Sequence, residues 1–219
     1  MEGIVEMNSI KNVLIVGAHF DDCELAAAGS AAKWVKEGKR VYKLTLTDNV
    51  TNFIQTNRHV SYDSSVKESA RACEQLGVIE LTEFIPEACN NLCYNTEVMQ
   101  RVEGLIYKYD IDTLIYHYSQ DSNQDHVEAS RICSTAGRRC KNLLMYQSNG
   151  YIVESPINPT FYVDITNTIE LKKKALTQYG GEHNVNGHLF EMCINRNAVY
   201  GYSCGTVYAE AFEIVKMIY

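Results

Sequence analysis

His19, Asp21, Asp22 and Glu24 fall within a span of six residues, directly behind the apolar run Val13–Ala18. Carboxylates at the mouth of an apolar strand lose hydration, and that cost must be offset by positive charge. A divalent cation is the simplest source of it. A second polar cluster, Asp121-Ser122-Asn123-Gln124-Asp125-His126, follows another apolar run about a hundred residues later. The two clusters together offer the ligand set of a hydrolytic zinc site, which uses three protein ligands and keeps one position open for water. His19 and Asp22 are three apart in a turn and can point at one ion, and His126 completes the set. Asp21 and Asp125 are then left for proton transfer. Each residue also has a purely structural role open to it. His19 could be a strand-end histidine bonded to backbone, Asp125 a helix N-cap and Asp121 a turn residue beside Ser122 and Asn123. His59 and His188 read as structural or solvent-facing.

Those clusters need a scaffold that brings two strand ends together. Val13–Gly17 reads as a buried strand and Glu24–Glu37 as a helix stopped by Gly38. Val41–Leu46 is a second strand, and the polar stretch Asp48–Asp63 reads as a loop over the strand ends. Ser64–Leu76 has helical period and stops at Gly77, and Leu81–Ile85 reads as a short strand closed by Pro86. Thr96–Tyr109 is an amphipathic helix with Val98, Val102, Leu105 and Ile106 on one side. Thr113–His117 is a strand, Asp125–Arg138 a helix and Leu143–Gln147 a strand. Phe161–Ile165 is a further strand and Glu170–Tyr179 a helix. The turn-rich loop Gly180–Gly187 carries His183, and Tyr208–Tyr219 reads as helical. Alternation of this kind predicts a Rossmann-like α/β fold, a mostly parallel sheet with helices on both faces. It forms one domain over residues 1–219, with ligands bound beyond the carboxyl ends of the strands.

Composition narrows the function. The chain has 219 residues, 46% of them hydrophobic, enough for one sizeable core. A net charge of −7 and the lack of any Lys/Arg stripe argue against a nucleic-acid partner. No window approaches the ~18 apolar residues of a membrane span. The first residues lack the basic and apolar regions of a signal peptide, so a cytoplasmic location is expected. The eight cysteines include no CxxC pair and read as free thiols. There is no GxGxxG, no GxxxxGK[ST] and no GxSxG, which weakens nucleotide-cofactor and serine-hydrolase readings. The 15 tyrosines could stack on sugar rings, with Tyr200, Tyr202 and Tyr208 as candidates.

Ala18-His19-Phe20-Asp21-Asp22-Cys23-Glu24, followed by Ala28-Gly29-Ser30, resembles the AHPDDxE…GG segment of the LmbE-like/PIG-L N-deacetylases. Asp121–His126 is similar to that family's second metal segment, HPDH. Glu68…Ala72…Leu76-Gly77-Val78, Phe161…Thr166 and Tyr208–Phe212 resemble weaker family segments. The resemblance implies zinc, or another divalent metal, held by His19, Asp22 and His126. It implies Asp21 as general base and Asp125 as a group that orients or tunes a neighbour. The implied activity is hydrolysis of an N-acetyl group on a small amino sugar or sugar conjugate, releasing acetate. Phe20 replaces the usual Pro, and Ser65 stands where some members carry a substrate-binding Arg. Asn123 replaces a His assigned to proton delivery; an amide donates a hydrogen bond but delivers no proton. The acid role then falls to protonated Asp21 or to His183. Two rival readings are a catalytically weakened sugar-recognition module of the same fold and a hydrolase of another bond, such as a phosphoester. A homo-oligomer is compatible with the sequence, though no feature demands one.

Overall fold

Strand β1 (Asn12–Gly17) is buried along its whole length, so it belongs in the middle of a sheet covered on both faces. A computed structural model, which describes residues 10–54, 57–179 and 188–218, places it there. After β1 come α1 (Asp22–Lys36), β2 (Arg40–Thr45), a hairpin of β3 (Thr51–Phe53) and β4 (Arg58–Val60), α2 (Tyr62–Leu76) and β5 (Ile79–Glu80). The second half adds α3 (Thr96–Lys108), β6 (Thr113–His117), α4 (Gln124–Ala136), β7 (Asn142–Tyr146), β8 (Phe161–Asp164), α5 (Ile169–Leu176), α6 (Leu189–Cys204) and β9 (Ala209–Lys216).

Seven strands form one sheet in the order β5-β2-β1-β6-β7-β9-β8. The first five of these are parallel, and β9 runs antiparallel to both its neighbours. The expected α/β architecture is therefore present. Successive residues of β1 serve opposite layers. Leu14 and Val16 pack with Val98, Val102 and Ile132 from α3 and α4, whereas Val13 and Ile15 pack with Ala27 and Trp34 of α1. The chain moves outward from β1 to β2 and β5, then returns through α3 to β6 on the other side. Strand order thus reverses between β1 and β6, the place where open α/β sheets bind ligands.

Helix α1 begins at that reversal and is clamped at its middle. Gly29 lets Ile165 approach so closely that an added Cβ would lie 2.8 Å from it. Glu210 of β9 accepts from the backbone N–H groups of Gly29 and Ser30 at 3.0 and 2.7 Å, and Lys172 of α5 pairs with it at 2.6 Å, both side chains fully buried. Lys172 also donates to the Leu25 carbonyl at 2.9 Å. A second buried pair, Lys43–Glu24 at 2.8 Å, ties β2 to the first turn of α1, and Lys43 reaches the Phe20 carbonyl at 2.6 Å. Burial opposes the Lys43 charge, but Glu24 more than compensates and its pKa is raised well above the ordinary lysine value.

Three expectations need correction. Residues 208–219 do not form a helix; β9 runs from Ala209 to Lys216. Its alternation is hidden because Glu210 lies on the core face and the register slips at Leu143/Leu144. The stretch 48–63 contains the β3–β4 hairpin. The short strand near residue 81 is instead Ile79–Glu80, with an isolated bridge from Thr47 to Glu87 beyond it. Helix α6 had no sequence assignment. All eight cysteines are free, as expected. No helix among the described residues is long and apolar enough to cross a membrane.

Replacing Lys172 with Met should leave the Glu210 carboxylate buried without a cation and lower stability by about 3–5 kcal/mol in a denaturant titration. A loss below about 1 kcal/mol would show that the pair does not hold α1 to β9.

Candidate active site

Two turns leave the sheet at its reversal, one from β1 and one from β6. The first is shaped by Asp22, whose Oδ2 accepts the His19 backbone N–H at 2.7 Å. The second is shaped by Asp121, which accepts the Asn123 N–H at 2.9 Å, and by Asn123 itself. Asn123 is the N-cap of α4 and accepts from the N–H groups of Asp125 and His126 at 2.8 and 3.4 Å. The capping role considered for Asp125 therefore belongs to Asn123. This frees the Asp125 side chain, which sits in the first turn of α4 and accepts from the N–H groups of Asn90 and Leu92 at 2.7 and 3.2 Å.

The two turns bring His19, Asp22 and His126 together. His19 Nδ1 lies 3.2 Å from His126 Nε2. Asp22 Oδ2 is 3.4 Å from His19 Nδ1, and Asp22 Oδ1 is 3.3 Å from His126 Nε2. One ligand atom from each residue lies within 4.8 Å of the others. The far nitrogen of each imidazole meets a carboxylate. His19 Nε2 is 3.2 Å from Asp125, and His126 Nδ1 is 3.2 Å from Asp121. Such carboxylate–histidine pairs direct the lone pair of the inner nitrogen toward a metal. Two imidazoles and one carboxylate, each held this way, fit the donor set of a catalytic zinc ion.

The titration behaviour agrees. Burial disfavours a charged His126, but Asp22 and Asp121 outweigh it and raise its pKa to about 9. His19 is raised well above the usual imidazole range against the same burial, by hydrogen bonds to the carboxylates of Asp125 and Asp22. Burial would raise the Asp22 pKa, yet the positive field of His126 holds it well below the carboxylate range. A proton on His126 thus supplies positive charge that a cation would bring, and a binding metal must displace it.

Asp21 is half-buried at the N-terminus of α1 and lines a cavity of about 430 Å³ together with His19, Asp22, Asn123 and His126. Glu24, grouped with these acids in the sequence, turns away to Lys43 and takes no part. His183 lies outside the described residues. Ser65 is fully buried and hydrogen-bonds Asn49, which lines the cavity. His59 is exposed, and His188, exposed as well, lines the cavity.

Several residues escaped sequence reasoning. His117 ends β6 behind Asp22, its Nε2 3.1 Å from Asp22 Oδ2, and stacks on His126 with ring centroids 4.0 Å apart. Burial and the neighbouring His126 push its pKa down to about 4. Ser148 donates to Asp22 Oδ1 at 2.8 Å, and Asn149 donates to Asp121 at 2.9 Å. Arg196 of α6 holds the carbonyls of both residues, at 3.0 and 2.6 Å. His117, Ser148 and Asn149 all sit at or just past the carboxyl ends of strands, a signal the sequence offered. Cys89, also on the cavity wall, had none.

A family model described as "PIG-L: GlcNAc-PI de-N-acetylase" matches residues 14–137, more than half of the chain. The chain belongs to the PIG-L family. The matched segment contains every residue of the two polar turns, while Ser148, Asn149 and Arg196 lie beyond it. Solved structures of the same fold include the N,N'-diacetylchitobiose deacetylase of Pyrococcus horikoshii, at 20% identity and TM-score 0.78, covering 95% of this chain and 85% of that one. The conserved protein TT1542 of Thermus thermophilus matches at 21% identity and TM-score 0.80, covering 96% and 97%. GalB, the 4-carboxy-2-hydroxymuconate hydratase of Pseudomonas putida, matches at 18% identity and TM-score 0.79, covering 96% and 98%.

His126→Ala should abolish stoichiometric zinc binding in elemental analysis of the purified protein. Retained zinc at one per chain would remove His126 from the ligand set of this PIG-L member. Zinc affinity should rise with pH by roughly tenfold per unit for each imidazolium proton displaced, up to the His126 pKa of about 9. Affinity that is flat with pH, measured by competition with a chromophoric chelator, would contradict the assignment.

Proposed function

We propose that this protein is a metal-dependent amide hydrolase that removes an N-acetyl group from an amino sugar or sugar conjugate and releases acetate. The observation that carries the reading is the convergence of His19 Nδ1, the Asp22 carboxylate and His126 Nε2 on one point, with Asp21 on the wall of the same cavity. Membership of the PIG-L family supports the deacetylase reading, and the two histidines with one carboxylate favour zinc over harder cations.

A divalent ion held there supplies Lewis acidity toward the acyl oxygen and toward water. The remaining steps belong to the chain. Asp21 takes a proton from the attacking water as its oxygen bonds to the acyl carbon. Asp125, fixed by the Asn90 and Leu92 amides, keeps the Nδ1 lone pair of His19 directed inward. The C–N bond then breaks, and the proton passes to the leaving nitrogen from Asp21 or from His183. Asn123 has its side-chain oxygen committed to the α4 cap, so its contribution is limited to its amide N–H donors.

The fold alone does not choose the reaction, since a hydratase shares it. Charge favours the sugar. Among the described residues lining the cavity there is no Lys or Arg, so a phosphorylated or carboxylated substrate would find no cationic side chain there beyond the histidines and the ion they hold. The same observation weighs against a phosphoester hydrolase.

Asp21→Asn should keep its metal and lose about 10²- to 10⁴-fold in the rate of acetate release from a panel of N-acetylated sugars. Unchanged turnover would remove Asp21 as the base. No acetate from any sugar in the panel, with metal bound, would favour a sugar-recognition module.

A further inference from the structure

The ring of His19 has two sides, and the proposed hydrolytic centre uses only one. Nε2 faces Asp125 Oδ2 at 3.2 Å, and the Cys89 sulfur lies beside both residues. A nitrogen of His19, the Cys89 sulfur and an Asp125 oxygen all lie within 4.8 Å of one another. These three come from separate elements: the turn after β1, the segment before α3 and the first turn of α4. Each is fixed by backbone contacts. The Cys89 N–H donates to Asp48 at 2.9 Å, and Asp125 is held by the amides of Asn90 and Leu92. Asn90 adopts a left-handed φ of 65°, which turns the chain so that Cys89 and the two amides face Asp125 together. Cys89 is buried from bulk solvent yet lines the cavity, so an ion entering for the first centre also reaches the thiol.

We propose that His19, Cys89 and Asp125 form a second cation site, selective for a thiophilic divalent ion such as cadmium or excess zinc, that opposes activity when filled. A thiolate, an imidazole and a carboxylate form a softer set than the His/Asp/His set across the ring, so the two sites differ in preference. Binding displaces the thiol proton and the proton shared between His19 Nε2 and Asp125, and both pass to solvent. The opposing effect rests on the proposed deacetylase reading. Asp125 would be drawn onto the second ion and would no longer direct His19 toward the first. The binding itself does not rest on that reading. Its cysteine ligand also separates this arrangement from two-metal phosphoesterases, whose ions are bridged to act on one substrate.

The test uses a Cys93→Ser/Cys204→Ser background, which removes the two exposed thiols. Cadmium titrated into this protein should raise an ultraviolet thiolate-to-metal charge-transfer band and bind with one more ion per chain than in the same protein carrying Cys89→Ser. Cys89→Ala serves if the serine variant folds poorly. The band should survive His126→Ala, which removes only the first centre. Absence of a Cys89-dependent band, or equal stoichiometry with and without Cys89, overturns the site. In the activity arm, acetate release should fall as the second equivalent of cadmium is added, and the Cys89→Ser protein should lose this inhibition. Inhibition that persists without Cys89 overturns the opposing role. A protein that shows the band but releases no acetate from any N-acetylated sugar leaves the site standing and sinks the deacetylase reading.

Discussion

The buried carboxylate of Asp22 constrains everything around it. It is 3% exposed, yet it holds its charge, because it is surrounded by the His19 backbone N–H, the Ser148 hydroxyl and the imidazoles of His117 and His126. Those partners come from the ends of β1, β6 and β7 and from the first turn of α4. An unsatisfied carboxylate at that depth would be costly, so the three strand ends must close on it in one arrangement. The same closure that satisfies Asp22 also sets the histidines face to face. Folding and the proposed metal binding are therefore two consequences of one electrostatic demand.

Support for this arrangement extends well beyond the ligands. Arg196 of α6 grips the carbonyls of Ser148 and Asn149 from the far side, and Asn149 in turn steadies Asp121 behind His126. Lys43, bonded to Glu24 and to the Phe20 carbonyl, fixes the turn that presents Asp21 and Asp22. Glu210 and Lys172 fix the middle of α1. Buried pairs of this kind stabilise modestly, if at all, but they penalise alternatives in which one partner is left unpaired. The charged interior of this chain serves to hold a first turn of helix in register with a neighbouring loop.

Much of this was legible in the sequence. The strand-then-acid pattern located both turns, because β1 and β6 are short, buried throughout and followed at once by polar clusters. The parallel alternation placed them on one edge. What stayed hidden shares a cause: tertiary partners replaced local pattern. Glu210 on the core face of β9 broke the alternation that would have marked a strand. Glu24 looked like a site acid and proved to be the counterion of Lys43. Asp125 looked like a cap because Asn123, two residues earlier, held that position unnoticed. Cys89 carries no sequence pattern of its own, and Ser148 and Asn149 carry only their place just past the end of β7.

The central claim is that His19, Asp22 and His126 hold one catalytic ion between them. It is tested most directly by anomalous X-ray diffraction at the zinc edge from crystals grown with one equivalent of zinc. The account predicts a single strong peak bounded by His19 Nδ1, the Asp22 carboxylate and His126 Nε2, with a coordination position open to the cavity. A peak centred elsewhere, or no peak at this point in zinc-loaded crystals, would contradict it.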